Sequence, residues 1–348
     1  MAEETIETAP TVPLTTKTTT PPASKRFWRY ARLIVGFVLI VALLPTLATP
    51  EFWATLASVN VPLVILALIL SIASVASKAW RWGVVMRFRG IKLSPGYLLF
   101  SYFIGMFFNN FLPSGMGGDV VRAYEAARHT GRGAESVTSV LVERGSGMLA
   151  VFAAGSLFAL TVPTLPIGVA LLAHGLFLGT VIAIWALWLD VTGRILTAIG
   201  NRLPTRFAGV WGKITRVYEE FRSYRHEWRL LAAVMWQSIV TLILTLASVY
   251  TLLLAFNDHS SFAAFAAVFS ILTAIDIIPI SLNGLGVREG SYVFFLGLIG
   301  IDGRIALGVA LLVRLLVLIQ AAMGGMAYIW RNLRSSKPID HAASQLHG

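Results

Sequence analysis

Six stretches of this chain, near 31–48, 58–77, 136–160, 166–189, 230–256 and 304–330, are apolar over close to the thickness of a bilayer. A helix rises about 1.5 Å per residue and needs about 20 largely apolar residues to cross the hydrocarbon core. The expected fold class is therefore an all-α polytopic membrane protein. Composition agrees, with 56% of residues hydrophobic and 13% charged, against roughly 45–50% and about 25% in soluble domains. Eight membrane-length segments would take roughly 160 positions, which leaves room for one bundle, tails and short loops.

Two further apolar segments, about 94–112 and about 260–282, run into glycine-rich stretches. These read Asn109-Asn110-Phe111-Leu112-Pro113-Ser114-Gly115-Met116-Gly117-Gly118-Asp119 and Pro279-Ile280-Ser281-Leu282-Asn283-Gly284-Leu285-Gly286-Val287-Arg288-Glu289. Charge decides whether the two segments cross. The formal net charge is +11, and 24 of the 28 Lys and Arg residues cluster at 17–32, 78–92, 122–132, 194–229 and 331–337. The loops at 49–57, 161–165 and 257–261 have none. Positive charge accumulates in cytoplasmic loops, so both termini and the basic clusters are expected in the cytoplasm. A single crossing at 94–112 would invert every later loop and put the eight cations of 194–229 outside. The segment 94–135 is accordingly expected to dip in from the cytoplasm and return, and 260–303 to dip in from outside and return. The competing reading is full or tilted crossings with amphipathic returns.

Both broken segments read Pro, Ser, two closely spaced glycines, then Arg with an acidic neighbour. The first has Pro113, Ser114, Gly117, Gly118, Asp119 and Arg122; the second has Pro279, Ser281, Gly284, Gly286, Arg288 and Glu289. Opposed hairpins of this kind in corresponding halves are the pattern of an inverted-repeat transporter. Irregular backbone at membrane depth is tolerated only where protein or a wet cavity covers it, so both are expected to point into the bundle. The expected architecture is an inverted-repeat helical bundle of about six full spans plus two re-entrant or broken helical hairpins. It forms one domain, 25–334, with halves 25–160 and 166–334. The Thr-, Pro- and Glu-rich residues 1–24 are expected to be a disordered cytoplasmic tail, and 335–348 a second, short tail.

The residue types in these segments suggest anion binding. A helix opening after Gly117 and Gly118, with Asp119 as its cap, offers free N–H groups and a positive dipole end, and Arg122 adds a bidentate donor. The plainer reading makes Asp119 only a cap and Arg122 an orientation charge. Asn109 and Asn110 need partners at the end of an apolar run, from a ligand or from the broken backbone. Arg288 lies outside the cytoplasmic clusters and has Glu289 beside it. The pair is either functional or a structural ion pair. Glu143 and Arg144 sit inside the span near 136–160, where charges face the bundle. Asp276 and Arg314 are expected to form a structural salt bridge.

Other chemistries are excluded or unsupported. With no cysteine, thiolate catalysis, iron–sulfur ligation and Cys zinc sites are absent. The six histidines show no metal-ligand spacing, so no metal and no cofactor is expected. Residues 78–93 and 202–229 mix Arg and Lys with Trp, Tyr and Phe, which suits helices lying at an anionic inner surface better than nucleic-acid binding. Gly284 and Gly286 lack the strand and spacing of a nucleotide loop.

The ordered set Asn109-Asn110-Phe111-Leu112-Pro113 through Gly117-Gly118-Asp119-Val120-Val121-Arg122, then Glu143-Arg144, then Asn283-Gly284-Leu285-Gly286-Val287-Arg288-Glu289-Gly290 resembles the flippase-like transmembrane family. That family includes the membrane region of lysylphosphatidylglycerol synthetases, and the likeness covers essentially residues 26–334. It implies a multi-pass plasma-membrane bundle that moves lipids with polar or phosphorylated headgroups between leaflets. By the same likeness, Asp119, Arg122, Glu143, Arg144, Asn283, Arg288 and Glu289 are the positions that serve it. Only 331–348 follow the last helix, so synthetase activity is not part of the expectation.

The expectation is a lipid translocase for an anionic phospholipid or polyprenyl-phosphate-linked lipid, not an enzyme. Its partners would be that lipid and the anionic lipids of the inner leaflet. The rivals are a membrane-embedded transferase, with Glu143 or Glu289 as base, and a small-solute transporter on a similar repeat. The absence of native cysteine makes the topology testable without background. Asn257→Cys should label from outside, and Thr205→Cys and Arg132→Cys only after permeabilisation. External labelling at position 132 would contradict the first re-entrant hairpin.

Overall fold

A computed structural model describes residues 49–111, 117–278 and 284–335. The tails, the expected first span at 31–48 and the loop residues 112–116 and 279–283, Asn283 among them, lie outside the described residues. Twelve α-helices and no strand occur in what is described. In chain order they are α1 (Pro50–Ala57), α2 (Val61–Phe88), α3 (Pro95–Phe111), α4 (Gly117–Thr130), α5 (Gly133–Thr161) and α6 (Ile167–Trp188). There follow α7 (Asp190–Arg202), α8 (Ala208–Ser223), α9 (Trp228–Ala255), α10 (Phe262–Ile277), α11 (Val287–Gly297) and α12 (Gly303–Ser335). Five of these, α2, α5, α6, α9 and α12, are long and apolar enough to cross a membrane.

The two broken segments are hairpins that enter from opposite ends. At one end, Tyr97 of α3 stacks on His129 of α4 with ring centroids 4.9 Å apart. Arg132, just after α4, donates to the Arg89 carbonyl at the end of α2 at 2.6 Å. Glu125 of α4 takes Arg331, near the end of α12, at 3.1 Å. The start of α3 and the end of α4 therefore lie together. At the other end, the Asn60 amide before α2 donates to Ala255 O at 2.8 Å. There Tyr250 of α9 donates to the Ser260 carbonyl at 2.7 Å, and Phe158 meets Phe262 at the start of α10 with centroids 5.7 Å apart. Phe256 lies against Gly308 of α12, a turn and a half past the point where α11 hands over to α12. The second hairpin thus begins and ends where the first does not.

Local sequence fixes these entry points. Asn60 accepts the Leu63 amide at 3.3 Å with Pro62 in the first turn, and Ser261 accepts the Ala264 amide at 3.4 Å to open α10. Both are N-cap arrangements that satisfy an otherwise orphaned donor. In the second hairpin, Gly284 and Gly286 adopt φ of +69° and +76°, a left-handed conformation that side chains disfavour. The Gly286 amide is held by Glu289 at 2.8 Å.

Helix contacts rest on small residues and on hydrogen bonds, as expected where lipid provides no hydrophobic drive to associate. A β-carbon at Gly118 would strike the carbonyl of Gly105, and one at Gly324 the carbonyl of Phe103, so α3 is wedged backbone-to-backbone between α4 and α12. Helices α2 and α9 are joined by a polar seam: Ser74 to Thr245 at 2.8 Å, Ser77 to Thr241 at 2.7 Å, and Ser248 to the Ala67 carbonyl at 2.7 Å. Around Phe265, Ile271, Leu252 and Leu253 an apolar core closes the second half. Ile65, Ile69, Leu171, Ile182 and Ile243 are exposed, the outward apolar face that a lipid-facing bundle requires.

The structure corrects one expectation about the span near 58–77. Helix α2 continues to Phe88, and Arg81 and Trp82 are 4% and 0% exposed. Part of the basic–aromatic stretch 78–93 is thus bundle interior, because the polar face of α2 turns towards α5 and α9. Gly324→Ala is expected to cost about 1–3 kcal/mol through overpacking against immobile backbone. Gly179→Ala in α6, with open space around it, is expected to be neutral or slightly stabilising. Thermal unfolding of the two variants in detergent checks the contrast.

Candidate functional site

The hairpin ends face one cavity of about 310 Å³. Asn109, Gly118 and Asp119 line it from the first hairpin, and Thr273, Asp276 and Ile277 from the second. Between them come Lys78 and Arg81 of α2, Glu143 and Arg144 of α5, and Ser238 and Thr241 of α9. Val75, Met148, Leu242 and Phe269 give it an apolar side. A few convergent polar groups in an otherwise apolar concavity is the usual form of a ligand site.

Its polar wall is a chain of alternating charges. Glu143, 1% exposed, accepts Arg81 Nε on Oε1 at 3.2 Å and Arg122 Nη2 on Oε2 at 3.0 Å. The Arg81 Nη2 group also reaches Oε1. Arg122 Nη2 continues to Asp119 Oδ1 at 3.0 Å, and Arg144 Nε closes on Asp119 Oδ2 at 2.6 Å. The order is therefore Arg81, Glu143, Arg122, Asp119, Arg144, which begins and ends on a cation and links α2, α5 and α4. Removing one partner from such a buried arrangement strands a charge at a cost of roughly 3–5 kcal/mol.

Each member is set by its neighbours. Arg81 Nη1 donates to Ser238 at 2.9 Å, and Gly147 leaves room for the guanidinium, since a β-carbon there would stand 3.0 Å from Arg81 Nη2. Arg122, 1% exposed, lies between two rings, 4.0 Å from the Tyr102 centroid and 4.7 Å from that of Trp82. Trp82 is itself fixed by its indole N–H to Ser139 at 2.9 Å. Such cation–π contacts stabilise a desolvated guanidinium by about 2 kcal/mol.

Six of the sequence-derived binding candidates, Asn109, Gly118, Asp119, Arg122, Glu143 and Arg144, line the cavity, whereas Gly284, Gly286, Arg288 and Glu289 of the second hairpin do not. Arg122, Asp119, Glu143 and Arg144 form the chain, and Gly117 and Gly118 begin α4 beside it. Asn109 accepts the Gly118 amide at 2.6 Å. The expected cap of α4 is thus supplied by Asn109, nine residues upstream, because Arg122 and Arg144 take the Asp119 carboxylate. Asn110 turns back to its own helix, donating to the Met106 carbonyl at 3.0 Å. In the second hairpin the expected Asp276–Arg314 bridge is not formed. Asp276 takes Arg288 Nε at 2.9 Å, and Arg314 Nε goes to Glu289 at 2.6 Å. Adjacent helical residues point about 100° apart, so Arg288 faces α10 while Glu289 faces α12, and the two do not pair with each other.

Sequence reasoning missed Lys78 and Arg81, which it counted as orientation charges, and the rings of Tyr102 and Trp82. A signal existed. Ser71, Ser74, Ser77 with Lys78, and Arg81 recur every three or four residues, the spacing of a single helix face. Among the described residues no group of His, Cys, Asp and Glu is placed to hold a metal.

Residues 30–324 match the family described as Lysylphosphatidylglycerol synthase TM region. Two relatives, each named a UPF0104 membrane protein, come from archaea. The one from Methanothermobacter thermautotrophicus is 25% identical over 322 residues, covering 85% of this chain and 93% of its own length. That from Methanocaldococcus jannaschii is 22% identical over 307 residues, covering 81% and 88%. No solved structure matches. With a family match across most of its length and an all-helical bundle carrying five spans among the described residues, the chain is an integral multi-pass membrane protein of the lysylphosphatidylglycerol synthase TM-region family.

Proposed function

We propose that the protein is a lipid translocase of the prokaryotic plasma membrane, with its termini in the cytoplasm, that holds an anionic lipid headgroup in the cavity between the hairpins. The observation that carries this reading is the cationic wall where the two opposed hairpins meet. Arg81, Arg122 and Arg144 are set there by their own carboxylates, and the cavity is large enough for a headgroup. The lipid's tails would stay in the bilayer while one half rocks against the other to alternate access. The exposed basic helices α7 and α8 would rest on anionic inner-leaflet lipids, with Val191, Ile195 and Ile199 on one stripe towards the acyl region.

Transport is favoured over transferase chemistry by the state of the two carboxylates a base would need. Both oxygens of Glu143 are engaged by arginines, and Glu289 is divided between Arg314 and the Gly286 amide. Neither is free to take a proton from a second substrate. The test is reconstitution into vesicles containing fluorescent phosphatidylglycerol and fluorescent polyprenyl phosphate. Headgroup exposure to a membrane-impermeant quencher should outpace that in protein-free vesicles for at least one of them. Arg144→Gln, at the Asp119 end of the charge chain, should slow it several-fold while the protein stays monodisperse. Rates equal to those of empty vesicles across both lipids would refute the proposal.

A further inference from the structure

The charges around the cavity do not balance. Asp119 and Glu143 each bridge two arginines, yet Lys78, Arg81, Arg122 and Arg144 surround the same space. Four cations against two carboxylates leave a formal excess of two positive charges. Asp276 does not offset it, because Arg288 neutralises that carboxylate at 2.9 Å, and Glu289 is likewise matched by Arg314. The second hairpin is neutral, and the excess comes from Lys78 and Arg81 of α2 and Arg144 of α5, set against Glu143, with Arg122 and Asp119 of α4 offsetting each other. Nor do the connecting residues 112–116 and 279–283 supply counter-charge, since neither stretch contains an ionisable side chain.

Two donors are specifically unmatched. Lys78 lines the cavity and takes part in no salt bridge among the described residues. Arg122 Nη1 is buried with no hydrogen-bond acceptor among them, in a residue 1% exposed. A buried donor without an acceptor costs about 1–3 kcal/mol, and more when charged. A ligand that offsets the excess would bring two negative charges and several acceptor oxygens to the cavity beside Lys78. A phosphate monoester carries about −1.5 to −2 at neutral pH and presents three strong acceptor oxygens. A diester carries a single charge and leaves half of the excess standing. A zwitterionic headgroup neutralises none of it, and an added amine would face like charges.

Resting on the translocase reading above, we infer that the cavity is matched to a phosphate monoester, so that the transported lipid is a monophosphate and not a diester phospholipid. Lys78, the cavity cation that takes part in no salt bridge among the described residues, is the group that tells the two apart.

The test uses the full chain in vesicles carrying a fluorescent lipid monophosphate or a fluorescent phosphatidylglycerol of matched tails. Radiolabelled inorganic phosphate is offered in a third arm. The monophosphate should be exposed at least about tenfold faster than the diester, the scale of one charge-assisted hydrogen bond. Lys78→Met should bring the ratio close to one, and Lys78→Arg should restore the preference. Equal, protein-dependent rates for monophosphate and diester in the unmodified protein would overturn this inference and leave the translocase reading intact. Movement of neither lipid would defeat the translocase reading. Uptake of inorganic phosphate without movement of the lipid monophosphate would assign the site to free phosphate and overturn the lipid claim.

Discussion

A single carboxylate, Glu143, is shared by guanidinium groups from two other helices, one on each oxygen. In a bundle surrounded by lipid, an unpaired carboxylate or arginine at that position would be strongly disfavoured. The three side chains therefore determine one another's placement. Arg81 brings in α2 and, through Ser238, α9; Arg122 brings in α4 and, through Asp119, Arg144. The first hairpin has little apolar surface on α4 with which to anchor itself, and its returning arm is fastened to the spans by this chain of charges and by close backbone contact with α3. Position and electrostatics of the cavity are consequences of the same arrangement, since the cations that hold the hairpin are the ones that face the space beside it.

A broken helix at membrane depth must hide its backbone, and the protein does this in two ways. Small residues let backbone approach backbone, as at Gly105 with Gly118 and at Phe103 with Gly324. Side-chain amides and hydroxyls meet donors that the interrupted helices leave open, as Asn109 does for the Gly118 amide. Serines and threonines along α2 and α9 form a parallel seam, so the long spans flanking the cavity are joined by hydrogen bonds where the cavity itself interrupts packing. Interhelical hydrogen bonds of this kind contribute about 0.6–2 kcal/mol each, which makes a seam of them significant only as a set.

Much of the fold was legible because a bilayer limits the choices. Spans show as apolar length, and the distribution of Lys and Arg favoured a return of both broken segments to the side they entered from over full or tilted crossings. The first-hairpin motif and the Glu143-Arg144 pair stood out because charge in an apolar run is costly. Lys78 and Arg81 did not, because a cation near the end of a span looks the same whether it faces the cytoplasm or a partner helix. Only the rotation of α2 distinguishes the two cases, and rotation is set by packing against α5 and α9. The pairing of Asp276 with Arg288 was hidden for a related reason. Sequence names the ionisable residues of a region, whereas the direction each faces depends on where α11 begins, and that is fixed by the left-handed turn at Gly284 and Gly286.

The most direct measurement of this account is a double-mutant cycle on Arg122→Met and Glu143→Gln, read as unfolding free energy in mixed micelles. Each single change should destabilise strongly, because it strands a buried charge. The double change should cost less than the sum of the two by more than about 1.5 kcal/mol, since it removes the charge and its partner together. Additivity within about 0.5 kcal/mol would mean that the two residues act independently, and the charge chain would not be what holds the first hairpin in the bundle.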